Sequence, residues 1–137
     1  GLVLAGANRR LVAAEAGDDG ILTAEEIAGL DLRNTRSVVI SACEAGQGET
    51  LPGEGVFGLR RALRLAGARS MVMSLWRMED SQARAWMNGY YAARWKDGRD
   101  VATATQAASR KLLAYRRHHG LTTHPNTWGG FIALGRD

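Results

Sequence analysis

Two short apolar runs on either side of one amphipathic stretch constrain this chain most. The first run, residues 37–42, is continuous and rich in β-branched residues, which is typical of a strand covered on both faces. The second run, residues 70–75, has the same apolar character. Between them, residues 54–66 carry apolar side chains at the three-and-four spacing of a helix, and Gly67 follows as a terminator. This order predicts a parallel crossover in which both strands end at the same edge of one sheet.

Capping and turn residues predict four further elements outside the crossover. They are a short helix from Thr23 to Ala28, a helix from Asp80 or Ser81 to about Trp95, a helix from Val101 to about Arg117, and a last strand within residues 128–134. The first of these helices opens with T-x-x-E, a capping box. In the long helix the predicted buried stripe consists of Val101, Ala104, Ala108, Leu112 and Tyr115.

The composition indicates one domain and argues against several classes of partner. Hydrophobic residues make up 45% and charged residues 23% of the 137 positions, and no apolar run approaches bilayer length, so we expect no membrane partner. The net charge is +4, but the arginines are scattered through the helices instead of forming a stripe, which argues against nucleic acid. The single cysteine excludes an internal disulfide and fits a reducing compartment such as the cytoplasm.

Cys43, the only cysteine, directly follows the first apolar run. Open α/β sheets place ligands and reacting groups at the carboxyl ends of their strands, so we interpret Cys43 as a candidate nucleophile. The alternative is a small, inert core residue. The acidic, glycine-rich residues 44–53 predict a solvent-exposed loop that shapes a cleft. A thiol needs a histidine or another positive influence to ionise near neutral pH, and no histidine precedes Cys43.

A second chemical alternative is the cysteine nucleophile elbow of hydrolases and amidotransferases. Ser41 and Ala45, two residues to either side of Cys43, are small enough for its strained turn, but glycine-rich and acidic residues intervene before the helix that should follow at once. The same loop lacks the third glycine of a dinucleotide fingerprint and the lysine of a P-loop. The three histidines have no second cysteine or spaced acidic ligands, so we expect no cofactor and no metal.

Three blocks of the sequence resemble the signature blocks of CHAT domains, a bacterial branch of the caspase-like cysteine peptidases related to separase. The blocks are SACEAG at 41–46, GEGVFGLRRALRLAGARSMVMSLWRMED at 53–80 and HPNTWGGFIALG at 124–135. The resemblance implies that Cys43 is the nucleophile and that its general base is a histidine in a segment preceding the one that begins here. Residues 1–137 would then be the carboxyl-terminal part of one caspase-like domain, without its amino-terminal strands and catalytic histidine segment.

The resemblance also implies a substrate-binding wall. In the family, SLW followed by an acidic residue borders the pocket for the residue preceding the cut. The residues in this position are Ser74, Trp76, Glu79 and Asp80. A comparable acidic residue in separase-like enzymes suggests that Asp80 selects a basic side chain, and the alternative is that it only caps the following helix.

Glu54 and the histidines are assigned to structure. Glu54, followed by Gly55, is expected to hold the loop by accepting backbone hydrogen bonds. His118 and His119 come at a helix end, where imidazoles interact with the last carbonyls. His124 matches a family HP dipeptide that is not the catalytic base.

Together these features predict an α/β fold with a mainly parallel sheet sandwiched by helices, a partial caspase-like fold with the cysteine-bearing strand in mid-sheet. The expected function is the nucleophile-bearing part of a cysteine endopeptidase that cleaves a protein or peptide and is inactive as an isolated chain. The alternative is a catalytically inactive CHAT-like scaffold or regulatory binding module. Because the predicted sheet has an uncovered edge, we expect missing amino-terminal sequence or a partner chain to complete it.

Overall fold

The computed structural model describes residues 2–4, 7, 20–41 and 54–136, without the side chains of residues 54–57. Its elements are β1 (Leu2–Val3), β2 (Ile21–Leu22), α1 (Ala24–Ala28), β3 (Ser37–Ile40), α2 (Glu54–Leu65), β4 (Ser70–Ser74), α3 (Asp80–Tyr91), a π-helical segment (Ala92–Lys96), α4 (Val101–His118), a 3-10 turn (Pro125–Thr127) and β5 (Phe131–Gly135). They form two compact units, the first made of Gly1–Asn34 and Ala45–Gly67 and the second of Thr35–Glu44 and Ala68–Asp137.

The first unit contains the antiparallel pair β1–β2 and the helices α1 and α2. The predicted capping box is confirmed: the Thr23 hydroxyl accepts from the Glu26 N–H at 3.2 Å, and the Glu26 carboxylate accepts from the Thr23 N–H at 2.7 Å. These two bonds satisfy donors that a helix start otherwise leaves unpaired, so a helix of only five residues is held at its first turn.

Helix α2 buries the apolar face that the sequence predicts. Four apolar side chains of the predicted stripe are buried, namely Leu59, Ala62, Leu63 and Ala66, while Arg61 and Arg64 are exposed. Gly67 ends the helix with φ of 100°, a conformation that costs glycine little. A Cβ on Gly67 would also lie 2.7 Å from Cγ of Arg33, so a side chain has no room there.

The second unit contains a three-stranded sheet with the order β3-β4-β5. Strands β3 and β4 are parallel, with Ser37 opposite Ser70 and Ile40 opposite Met73, which confirms the predicted crossover pair. Strand β5 is antiparallel to β4, so the sheet is mixed and the expectation of a mainly parallel sheet is wrong for the described strands. The register shows the direction: Phe131, the first residue of β5, lies opposite Ser74, the last residue of β4, so the two strands run in opposite directions.

The cysteine-bearing strand lies at the edge of the strands that the structure describes, so the expectation that it lies in mid-sheet stays a prediction. Among the described strands, β4 is central and fully buried, whereas β3 pairs with β4 alone and its four residues are half-buried. Strand β3 is therefore an edge of the sheet that the structure describes.

The core of the second unit is built around Trp86 of α3. Its side chain is completely buried, and its ring stacks on Phe131 at 4.2 Å and on Tyr90 at 5.4 Å between ring centres. The indole Nε1–H donates to the Ser109 hydroxyl of α4 at 2.9 Å. Trp86 therefore joins both long helices to the sheet, and its one polar atom is satisfied, as burial of an indole requires.

Helix α4 follows the predicted bounds and cap. Asp100 accepts from the Thr103 N–H at 2.9 Å, and the buried stripe is confirmed except at its end. There Tyr115 is 54% exposed, and Arg116 is buried instead, donating from Nε to the Thr122 carbonyl at 2.6 Å. Within the described part of the chain, no helix combines the length and apolar character of a membrane span.

Candidate active site

The predicted site lies at the carboxyl ends of β3 and β4. Their parallel register places Ile40 beside Met73, so the residues that leave both strands do so at one edge. Cys43 lies outside the described residues, as do residues 44–53, and its role as nucleophile stays a prediction. Glu54 and Gly55 are the first two residues of α2, with their side chains outside the description, so their role in the loop also stays a prediction.

The proposed substrate wall combines buried and accessible residues. Ser74 is the last residue of β4 and only 9% exposed, whereas Trp76 is 36% exposed, and Glu79 and Asp80 are both exposed. Of these four residues, Trp76, Glu79 and Asp80 are accessible to solvent, whereas Ser74 is buried in the sheet.

Trp76 is fixed by the turn that leads into β5. Its indole Nε1–H donates to the Asn126 carbonyl at 3.1 Å, and the Leu75 N–H donates to the Gly130 carbonyl at 2.8 Å. A Cβ on Gly130 would overlap Sδ of the buried Met78 and lie 3.3 Å from Trp76 Nε1. Only glycine lets the turn approach so closely. Sequence reasoning missed this contact, and the Gly-Gly pair at 129–130 was the available signal.

The start of α3 differs from the prediction by one position. Glu79 occupies the N-cap without a side-chain capping bond, and Asp80 is the first helical residue instead of the cap. The Glu79 carboxylate accepts from the Ser81 hydroxyl at 2.7 Å and from the Gln82 amide at 3.2 Å. Asp80 lies in the first turn, where a negative charge is favoured by the helix dipole, and its exposed carboxylate does not act as the cap.

Two of the three histidines, His119 and His124, contact backbone or neighbouring polar groups. His119 Nδ1 lies 2.8 Å from the Tyr115 carbonyl at the end of α4, and the imidazole of His124 contacts the side chain of Asn126 at the start of the 3-10 turn. These positions agree with the structural roles predicted for them. In the residues that the structure describes, no group of three His, Cys, Asp or Glu side chains could hold a metal ion.

A second feature, a cleft of about 810 Å³, lies in the second unit near the amino ends of β3 and β4. Its lining residues are Arg36, Ser37, Val39, Arg69, Tyr90, Tyr91, Arg94, Trp95 and Gly98. Arg36 and Arg69 directly precede β3 and β4, at the strand ends opposite to the predicted nucleophile. Sequence reasoning missed this cleft, although an arginine before each strand was a readable signal.

The family of the chain follows from comparison with family models. A model described as "CHAT domain" matches residues 1–136. The chain belongs to the CHAT domain family. The match confirms the resemblance that the three sequence blocks carry, and it covers nearly the whole of this CHAT domain chain.

Two curated relatives carry a segment similar to this CHAT domain. Tetratricopeptide repeat protein 28 of Homo sapiens is 25% identical over 117 residues, which is 85% of this chain and 4% of that protein. Tetratricopeptide repeat protein 28 of Mus musculus is 26% identical over 118 residues, with the same coverage. The chain thus spans about 4% of the length of these relatives. They are mammalian, so they give no support to the expected bacterial origin.

No solved structure matches this CHAT domain. The assignment of a mixed α/β fold therefore depends only on the strands and helices of this chain, and a caspase-like fold stays an expectation.

Proposed function

We propose that this CHAT domain is the nucleophile-bearing part of a caspase-like cysteine endopeptidase, with Cys43 as nucleophile and a histidine outside this chain as general base. The observation that carries the proposal is the parallel register of β3 and β4, which brings the strand end before Cys43 beside the strand end before Trp76. Only two residues of chain separate Ile40 from Cys43. Membership of the CHAT family supports the same assignment.

The proposed reaction is acyl transfer through the sulfur of Cys43. The histidine takes the thiol proton, the thiolate attacks the substrate carbonyl carbon, and the histidine returns the proton to the leaving amine. Water then hydrolyses the thioester and regenerates the thiol. The backbone N–H of Cys43 would donate to the developing oxyanion, because a donor at that position gains strength as negative charge forms.

The substrate wall in this proposal is formed by Trp76 and the carboxylates of Glu79 and Asp80. The hydrogen bond to Asn126 holds the exposed indole in one orientation, and the exposed Asp80 carboxylate offers a negative charge without serving as the helix cap. An acidic wall favours a basic side chain before the cut. In a peptide library, Asp80→Asn should weaken that preference, and an unchanged preference would remove Asp80 from the specificity site.

The test of the nucleophile uses the complete protein that contains this domain. Cys43→Ala should abolish cleavage of the partner protein while leaving binding of that partner intact, because only the reacting atom is removed. Lys111→Ala, on the exposed face of α4, is the matched control and should cleave as the wild type does. Cleavage by Cys43→Ala at the wild-type rate would show that another group is the nucleophile.

A second candidate function is a binding module without catalysis. Its support is that both curated relatives are named as tetratricopeptide repeat proteins, and repeat arrays of this class present extended surfaces to partners. A peptide carrying a thiol-reactive electrophile separates the two candidates. Labelling at Cys43 supports the peptidase, whereas partner binding without labelling or cleavage supports the module.

The nucleophile elbow is less well supported than either candidate. An elbow runs directly from its strand into its helix, whereas glycine-rich and acidic residues follow Cys43 in the sequence before the predicted helix. For the peptidase we propose a reducing compartment such as the cytoplasm, since a catalytic thiol must stay reduced.

A further inference from the structure

We propose that Arg116 is a positioning residue of the substrate wall and that it sets the orientation of the Trp76 indole through the loop between α4 and β5. We call residues 120–127 of this connection the return loop. The inference rests on the proposed function in one respect, namely that Trp76 contacts substrate. Every contact that supports it lies within the second unit.

The orientation of Trp76 depends on one atom of the return loop. Trp76 is 36% exposed, and its indole Nε1–H donates to the Asn126 carbonyl at 3.1 Å. An indole has no other hydrogen-bonding group, so this bond is the directional constraint on a ring that is partly in solvent. The position of the Asn126 carbonyl therefore determines how the ring faces a substrate.

The return loop does not hold that carbonyl in place by its own burial. Residues 120–126 are exposed and Thr127 is half-buried. The N–H and the hydroxyl of Thr127 donate to the His124 carbonyl at 3.0 and 2.7 Å, which shapes the turn locally but joins it to no other element. Segments with few buried contacts open at a low cost in free energy. The loop therefore depends on anchors outside it.

Arg116 is the anchor on the α4 side. It is only 8% exposed, and its Nε–H donates to the Thr122 carbonyl at 2.6 Å, while the Leu121 N–H donates to the Arg116 carbonyl at 2.9 Å. A hydrogen bond from an ionised donor is stronger than a neutral one, and a buried one is little screened by salt. On the β5 side, the Trp128 indole donates to the Thr123 carbonyl at 2.9 Å. The two anchors hold adjacent carbonyls, and the carbonyl that orients the Trp76 ring follows three residues later.

Helix packing alone does not require an arginine at position 116. The residue one turn earlier on the buried stripe of α4 is Leu112, and arginine is seldom buried in proteins unless it is paired. An apolar side chain would bury the same face without the cost of removing a charge from water. What Arg116 adds is a donor that reaches past the end of the helix to the return loop. The alternative, that Arg116 only stabilises the end of α4, makes a different prediction for Trp76.

The first test measures the Trp76 indole in the full 137-residue chain. Arg116→Met places a methyl group where Nε stands, whereas Arg116→Gln places an amide nitrogen there. Solvent exchange of the four isotopically labelled indole N–H groups is followed by NMR, and Trp76→Phe identifies the signal of Trp76. Exchange at Trp76 should be about tenfold faster in Arg116→Met and within about threefold of the wild type in Arg116→Gln, because only the second variant keeps a donor for the loop.

Two references in the same chain separate positioning from a general loosening of the core. The Trp86 indole N–H, which donates to the Ser109 hydroxyl, should exchange as in the wild type in every variant. Arg117→Met makes the same chemical change at the next residue, whose side chain is exposed, and should leave exchange at Trp76 unchanged.

Trp128→Phe is a further variant that does not alter Arg116. It removes the other anchor of the return loop, so it should also speed exchange at Trp76 by about tenfold. Circular dichroism checks the folding of each variant, and unchanged exchange at Trp76 in Trp128→Phe would overturn the link through the loop even where Arg116→Met is unfolded.

The second test measures peptide binding and requires no cleavage. The probe is a fluorescently labelled peptide of three alanines followed by arginine, added to the complete protein that carries Cys43→Ala. Arg116→Met and Trp76→Phe should each weaken binding by about fivefold, and together by no more than about fivefold, because both act on the same ring. Independent effects would multiply to about 25-fold.

Four results would overturn the proposal. They are unchanged exchange at Trp76 in Arg116→Met, equal acceleration at Trp86, an equal effect of Arg117→Met, and losses of peptide affinity that multiply. Failure of the peptide to bind the protein without these substitutions would remove Trp76 from a substrate wall and would end the role of Arg116 with it. Cleavage of the partner protein by Cys43→Ala at the wild-type rate would instead overturn the nucleophile alone, since neither test uses the thiol.

Discussion

At the scale of single residues, Gly130 is a position where the structure leaves no room for a side chain. The turn before β5 passes so close to β4 and the following loop that a Cβ at this position would overlap Met78, which is itself buried. The same approach allows the hydrogen bonds that hold Leu75 and Trp76. Because Gly130 has no side chain, the turn before β5 and the segment after β4 can form hydrogen bonds that hold both in place.

Gly130→Ala should lower the free energy of unfolding by about 1–3 kcal/mol, because Met78 must leave a packed position. Urea denaturation followed by circular dichroism measures the change. Gly58→Ala is the control, since no atom of the described residues lies within 4 Å of a Cβ there and the residue is inside α2. It should raise stability by up to about 1 kcal/mol through helix propensity. Equal effects of the two substitutions would contradict the close contact.

At the scale of elements, the local patterns predicted helices and caps well where the partner is near in sequence. The capping box at Thr23 and the cap at Asp100 depend only on the next three residues, and both are present. The burial of Arg116 instead of Tyr115 at the end of α4 could not be predicted from such local patterns. Arg116 is buried because the chain beyond the helix returns the Thr122 carbonyl to its guanidinium, whereas helical periodicity alone favoured Tyr115.

The cap of α4 should make stability depend on pH. Hydrogen bonds from the Thr103 hydroxyl, and next from the Thr103 N–H, hold the pKa of the Asp100 carboxyl below its ordinary value of 3.8. A lowered pKa in the folded state means that the carboxylate stabilises the fold above about pH 4 and that this contribution disappears as pH falls through the folded pKa.

Asp100→Asn keeps an oxygen acceptor at the cap but cannot titrate. Its melting temperature should therefore lie below that of the wild type at pH 7 and approach it at pH 2.5. Thermal melts of both proteins between these values test the prediction. A difference that is constant across the range would mean that the charge of Asp100 contributes nothing.

At the scale of the whole chain, the sequence predicted the parallel pair β3–β4 because two apolar runs and one helix specify it locally. It did not predict the direction of β5, which depends on where the chain leaves α4. It also did not predict the cleft beside β3, whose arginines come from separate segments at Arg36, Arg69 and Arg94. The arginines before β3 and β4 could be read from the sequence, but no local pattern brings Arg94 to the same cleft. The same limit applies to the partners of Cys43.

Trp86→Ala should lower the free energy of unfolding by about 3–5 kcal/mol, since Trp86 joins two helices and the sheet. Trp86→Phe should cost less, because it keeps an aromatic ring and loses chiefly the bond to Ser109. Trp95→Ala, at an exposed tryptophan, is the control and should change stability by less than about 0.5 kcal/mol. Urea midpoints give all three values, and similar losses for Trp86→Ala and Trp95→Ala would contradict the packing.

The π-helical segment after α3 has a consequence for how this chain can vary. Its wider turn, closed by the Asp97 N–H donating to the Ala92 carbonyl at 3.3 Å, uses more residues per turn than an α-helix does. Each residue of a helix turns the chain by about 100°. Deleting the codon of Ala92 or Ala93 would therefore rotate the indole of Trp95 relative to β3 while leaving every cleft side chain chemically intact. Insertions and deletions in this segment, more than substitutions, are the changes by which related sequences could gain or lose the stacked rings of Tyr91 and Trp95 in the cleft.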